Sequence, residues 1–147
     1  MLASLLLRIA ILIGVSLLPW LLVIAVRAYA DARKRRVLAA APASDLLGAA
    51  LTGGVRILAF SSEDCSPCHT LQRPALNRLL DERQGQVTVT EIDAPSSPEL
   101  TERYAVLTVP TTVVLDETGR ARAINYGFAP LPKLLKQVDA ALAAPIA

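Results

Sequence analysis

From Ile9 to Val26 the chain reads IAILIGVSLLPWLLVIAV, eighteen residues without a charged side chain. As a helix this run would extend roughly 27 Å, close to the hydrocarbon thickness of a bilayer. Leu5, Leu6 and Leu7 lengthen it if Arg8 snorkels toward the interface, so the expected span is residues 5-26. Pro19 would be awkward in a soluble helix but is tolerated in a membrane one. The apolar share of 53% and mean hydropathy of +0.44 exceed what a soluble domain usually shows. The rest of the 147 residues suffices for one ordinary domain. The division expected is therefore a transmembrane anchor at 1-27, a basic juxtamembrane segment at 28-42 and a globular domain at 43-147.

The net charge of +2 averages two unlike parts. Six of the fifteen basic residues fall within Met1 to Arg36, together with only Asp31 of the thirteen acids. Val37 to Ala147 thus holds nine basic residues against twelve acidic ones, a net of −3, which excludes nucleic acid as a partner by charge. The basic excess lies in Arg27 and Arg33-Lys34-Arg35-Arg36, directly after the apolar run, as expected of a membrane flank. Only Arg8 and the α-amino group precede the run. The positive-inside bias then keeps the domain in the cytoplasm, as a single-pass protein of the cell membrane, with the extracytoplasmic side as the alternative. Ala28-Tyr29-Ala30 has the form of a signal-peptide cleavage site, but the apolar run is longer than the roughly 7 to 15 residues of a signal core. An uncleaved anchor is expected.

Beyond Arg36 the pattern becomes globular. Ala43-Ser44-Asp45 with Leu46, Leu47, Ala50 and Leu51 predicts a short helix that ends at Gly53-Gly54. Val55 to Phe60 reads as a buried strand, and Ser66 to about Arg83 as a helix kinked at Pro74. Val87 to Ile92 alternates as a strand. Ser96-Ser97-Pro98-Glu99 opens a helix that should run to about Tyr104. Thr111 to Leu115 and Ala121 to Asn125 form a hairpin across Asp116-Glu117-Thr118-Gly119, closed by Gly127. Leu131, Leu134, Leu135, Val138 and Leu142 mark one face of a last helix. This order implies an α/β domain whose mixed β-sheet is flanked by helices on both faces.

Two cysteines make no disulfide framework, and Cys65-Ser66-Pro67-Cys68 points instead to redox or metal chemistry. The motif follows a buried strand and opens a helix. Unsatisfied N–H groups and the positive end of the helix dipole there favour a thiolate on Cys65. Cys68, one turn inward, is near enough to attack a mixed disulfide on Cys65 but is expected to be less open to solvent. Cys65 is therefore the expected nucleophile and Cys68 the resolving thiol.

Over most of Val37 to Ala147 the sequence resembles the thioredoxin family. The resemblance rests on Ile57-Leu58-Ala59-Phe60 leading to the pair, the C-x-P-C motif, Val109-Pro110-Thr111 before the hairpin and Gly127 after it. It implies a thioredoxin-like fold for 43-147, preceded by one N-terminal transmembrane helix, and a protein-disulfide oxidoreductase acting on protein or small-molecule disulfides and thiols. It also implies a cis Pro110 packed against the active disulfide, with Thr108, Val109 and Pro110 as the substrate-binding element. The backbone of Val109 would pair with a substrate strand. No metal or organic cofactor is implied. Asp64 and Ser66 depart from the family's usual tryptophan and glycine around the first cysteine, leaving an acidic rim of Glu63 and Asp64 that should raise the Cys65 pKa and disfavour acidic partners. The family's buried acid is replaced by Ala59. Glu91 is then a possible proton-transfer helper, set against the simpler reading of a solvated strand residue.

Three other readings compete. Cys65-Ser66-Pro67-Cys68-His69 satisfies C-x-x-C-H, the attachment pattern of c-type haem, with His69 as proximal ligand. A second axial ligand would have to come from elsewhere, yet the only methionine is Met1 and the only histidine is His69. Zinc would lack a fourth ligand. A non-catalytic thioredoxin-like scaffold is the remaining alternative, and it has no need of both cysteines.

Overall fold

The computed structural model describes residues 2–39 and 54–143. The expected helix at 43–51 lies outside the described residues. The chain divides into two units, Met1–Arg35 and Arg36–Ala147.

Helix α1 covers Leu2–Ala39 and passes through Pro19 without a break. From Val15 to Ala32 its side chains are exposed all round, among them Leu18, Trp20 and Leu22. A helix that is apolar on every side and buries none of it in protein is suited to lipid. It is long and apolar enough to cross a membrane. At roughly 1.5 Å per residue its 38 residues would outreach a bilayer core, and the helix also takes in the basic run that follows the apolar one.

The second unit is built on a four-stranded sheet in the order β2-β1-β3-β4. The strands are β1 (Val55–Ser61), β2 (Val87–Asp93), β3 (Thr111–Leu115) and β4 (Ala121–Tyr126). β1 pairs in parallel with β2 and antiparallel with β3, and β3 and β4 form the expected antiparallel hairpin. The sheet is mixed, as the element order implies. Alternation along β1 explains its nearly continuous apolar run. Val55, Ile57 and Ala59 join one core with Leu76, Leu79, Leu134 and Val138, whereas Leu58 and Phe60 join another with Ile92, Tyr104, Val113 and Ile124. A strand buried on both faces needs apolar residues at every position.

The helices are α2 (Arg73–Glu82), α3 (Pro98–Arg103) and α4 (Leu131–Leu142). The kink expected at Pro74 takes the form of a π-helical turn, Cys68–Gln72, in which the Arg73 N–H reaches back five residues to the Cys68 carbonyl. Proline cannot bond to the carbonyl four residues earlier and its ring crowds it, so the helix widens just before Pro74. The start of α3 differs in detail from its expected capping. Ser97 makes no side-chain cap bond, and the Ser96 hydroxyl donates to the Asp93 carboxylate instead.

The β3–β4 turn is organised by Asp116, a buried carboxylate. It accepts from the Thr118 N–H and hydroxyl, the Arg120 N–H and the Arg122 guanidinium, at 2.9, 2.6, 3.1 and 2.5 Å. Burial alone would push its pKa up, but these donors outweigh it and hold the carboxyl below its ordinary value of 3.8. A depressed carboxyl stabilises the fold above its unfolded pKa and loses that contribution as pH falls through the folded value. Asp116→Ala should therefore cost about 2–3 kcal/mol at neutral pH, because it removes at once the bonds to the Thr118 and Arg120 N–H groups, the Thr118 hydroxyl and the Arg122 guanidinium that organise the turn. In thermal melts across pH, the gap to the wild type should narrow only in acid. A gap that is unchanged down to strongly acidic pH would show that the charge of Asp116 contributes nothing.

Candidate active site

β1 delivers the chain through Ser61 to Cys65, and the helix begins at the next residue. The Cys65 carbonyl accepts the Cys68 and His69 N–H groups at 3.0 and 3.3 Å, which sets the first turn. Cys65 and Cys68 are joined as a disulfide, with Cα atoms 5.3 Å apart. The two residues are almost equally covered, at 7% and 5% exposure, so unequal solvent access does not distinguish them as expected. A different asymmetry does. The Cys68 N–H donates to the Cys65 sulfur at 3.2 Å, a bond that favours negative charge on that sulfur. Cys68 instead lines a small cavity with Ala59, Gln72, Arg73, Glu91 and Pro110.

The Val109-Pro110 peptide bond is cis, as the resemblance implied. Pro110 is buried, Val109 half-buried and Thr108 exposed. Two bonds fix this loop. The Thr111 hydroxyl donates to the Thr108 carbonyl at 2.7 Å, and the Gly127 N–H donates to the Pro110 carbonyl at 2.8 Å. Gly127 has φ +88°, a conformation that side chains disfavour, although space for a Cβ is open there. The requirement for glycine is therefore conformational rather than steric. Beside the loop lies a cleft of about 320 Å³ lined by Ser62, Ala94, Pro95, Leu107, Thr108 and Val109, among others.

Glu91 stands opposite Ala59 in the β1–β2 register. Its carboxylate is held by Arg73 through two bonds of 3.0 Å, and its side chain is half exposed. Glu91 reaches solvent and also borders the cavity beside Cys68.

Sequence reasoning missed Arg73 and Gln72. Gln72 is buried, and its amide spans the Ala129 backbone, donating to the carbonyl at 3.3 Å and accepting the N–H at 2.9 Å. It ties the π-helical turn to the loop after β4. Gln72 lies three, four and seven residues before the buried Ala75, Leu76 and Leu79, so helical spacing puts it on their face, and that is the signal that could have found it. His69 is exposed, and its Nε2 lies 3.1 Å from the Glu63 carbonyl. Glu63 and Asp64 are both exposed, forming the acidic rim expected beside Cys65. Among the described residues, no group of three or more His, Cys, Asp or Glu gathers to hold a metal ion.

A disulfide at the head of a helix, reached from an inner strand of a mixed sheet and sharing a cavity with a cis proline, is the arrangement of a thiol/disulfide-exchange domain. The thioredoxin family model matches residues 51–140, and the chain belongs to the thioredoxin family. A thioredoxin of Rhodospirillum rubrum is 30% identical over 89 residues, spanning 60% of this chain and 84% of that protein. A thioredoxin of Chlamydia trachomatis matches to the same extent. Among solved structures, a thioredoxin-2 described as a component of malaria parasite protein secretion machinery superposes with a TM-score of 0.57 at 18% identity, covering 63% of this chain and 88% of that one. That likeness concerns the fold. Family and cysteine pair together support thiol/disulfide oxidoreductase activity.

Proposed function

We propose that the protein is a membrane-anchored reductase of disulfides, with its thioredoxin domain on the cytoplasmic side. The observation that carries the chemistry is the Cys65–Cys68 disulfide at a helix start, with Cys68 and Pro110 bordering one cavity. The Cys65 thiolate attacks a substrate disulfide, forming a mixed disulfide and releasing the first thiol. Cys68 then attacks the Cys65 sulfur, releasing the second thiol and leaving Cys65–Cys68 oxidised. Two electrons pass to the substrate, and an external dithiol returns them to the enzyme. Thr108, Val109 and Pro110 receive the substrate strand, with the Val109 backbone as its pairing edge. The cavity at Cys68 has a core of about 10 Å³, roughly the space of one water. Through such a water the Cys68 proton passes to Glu91, which Arg73 holds in place.

Anchoring is supported by α1, which is long and apolar enough to cross a membrane. Orientation is supported by Arg27 and the run Arg33 to Arg36 after the span, against Arg8 and the α-amino group before it. A domain on that side would be kept reduced by the thiol pools of the cytoplasm, which favours reduction of substrates over their oxidation. Separate fusions of alkaline phosphatase and a fluorescent protein to Ala147 test this arrangement. A bright fluorophore with inactive phosphatase is expected, and active phosphatase with a dark fluorophore would overturn both the topology and the direction of exchange.

A further inference from the structure

On another part of the domain, β4 and α4 enclose a groove of about 480 Å³ lined by Arg122, Lys133, Lys136, Ala123, Gln137 and Ala140. It shares no lining residue with the cavity at Cys68. Three of its six lining residues are cations and none is an acid; Arg122 is paired with Asp116, so Lys133 and Lys136 are the two with no ion pair among the described residues, in a body whose net charge is −3. Of the neighbouring carboxylates, Asp139 on α4 is held away by two bonds to Arg83, whereas Asp116 is turned onto Arg122 itself and offsets that charge, so the attraction rests on the two lysines. Glu117, on the β3–β4 turn, does not line the groove. Arg122 on an edge strand also discourages strand pairing, but the two lysines belong to the helix and serve no such purpose.

We propose that this groove takes the phosphate-bearing headgroups of anionic lipids and docks the domain on the bilayer surface. The inference rests on the membrane-anchored reading above. Charge complementarity selects the occupant: an anionic leaflet gains roughly fivefold in partitioning for each basic residue brought to it. An acidic body would otherwise be repelled from such a surface, so attraction has to come from a local cluster. Ala123 and Ala140 offer a small apolar floor beside the cations.

Amine acetylation of the full chain in nanodiscs, read by mass spectrometry, tests this. Neutral phosphatidylcholine discs are compared with discs containing phosphatidylglycerol, since neither lipid carries a primary amine. Labelling of Lys133 and Lys136 should slow by about threefold or more in the anionic discs. The protection should vanish at roughly 0.5 M salt, where screening is short-ranged. Equal labelling in the two discs would overturn the proposal. Equal protection in neutral discs supplied with inorganic phosphate would also overturn it, by showing a site for soluble anions rather than for lipid. Failure of the chain to enter either disc would instead defeat the anchoring on which the proposal rests.

Discussion

Cys65→Ser is expected to lower the protein's reduction of a disulfide substrate such as insulin to the uncatalysed background, a loss of at least about a hundredfold. Cys68→Ser should also stop turnover, but by a different route. The Cys65 sulfur receives the Cys68 backbone N–H, and this bond survives replacement of the Cys68 side chain. Cys65 can then still attack, and the mixed disulfide has no partner to resolve it. Non-reducing electrophoresis should show partner proteins covalently held by Cys68→Ser and none held by Cys65→Ser. Trapping by Cys65→Ser alone would reverse the assignment of nucleophile and resolving thiol.

The largest loss of stability is expected at Phe60. It is 1% exposed, sits two residues past the midpoint of the central strand and packs its ring 6.1 Å from that of Tyr104. Truncation there removes the transfer energy of the ring and leaves a cavity between β1 and α3, for which about 3–5 kcal/mol is typical. Since domains of this size are stable by only about 5–15 kcal/mol, Phe60→Ala should consume a large part of the total. At about 4–8 °C per kcal/mol the midpoint of thermal unfolding falls by 12 °C or more. Leu107→Ala, at a residue 77% exposed, should change stability by no more than about 0.5 kcal/mol. Similar melting temperatures for the two variants would contradict the placement of the core.

Much of this fold was legible because its signals are local. The apolar run of β1, the alternation of β2 and the turn residues between β3 and β4 each fall where short-range rules place them. The spacing of Leu131, Leu134 and Val138 likewise fixes α4, and the helix start at Cys65 follows from the strand that precedes it. What could not be read depends on distance in space. Nothing local tells that Arg73 and Glu91, eighteen residues apart, form an ion pair, or that Gln72 meets the Ala129 backbone 57 residues away. The π-helical turn was equally hidden. Proline announces a disturbance of the helix, but whether the chain kinks, breaks or widens depends on what the displaced residues can bond to. At the site, the cysteines and the cis proline were readable through the motifs that carry them. Glu91 was ambiguous for a physical reason: an acid on an alternating strand is compatible with solvent and with a cavity, and only the register opposite Ala59 puts it at both.

The central claim is that Cys65 and Cys68 act as one reversible redox couple. The direct measurement equilibrates the full-length protein with graded ratios of reduced and oxidised dithiothreitol, then counts free thiols by alkylation and mass spectrometry. The account predicts that both cysteines change state together along a single two-electron curve, with a tenfold change in ratio for about 30 mV. A pair that stays oxidised at every ratio, or two thiols that titrate independently, would contradict it.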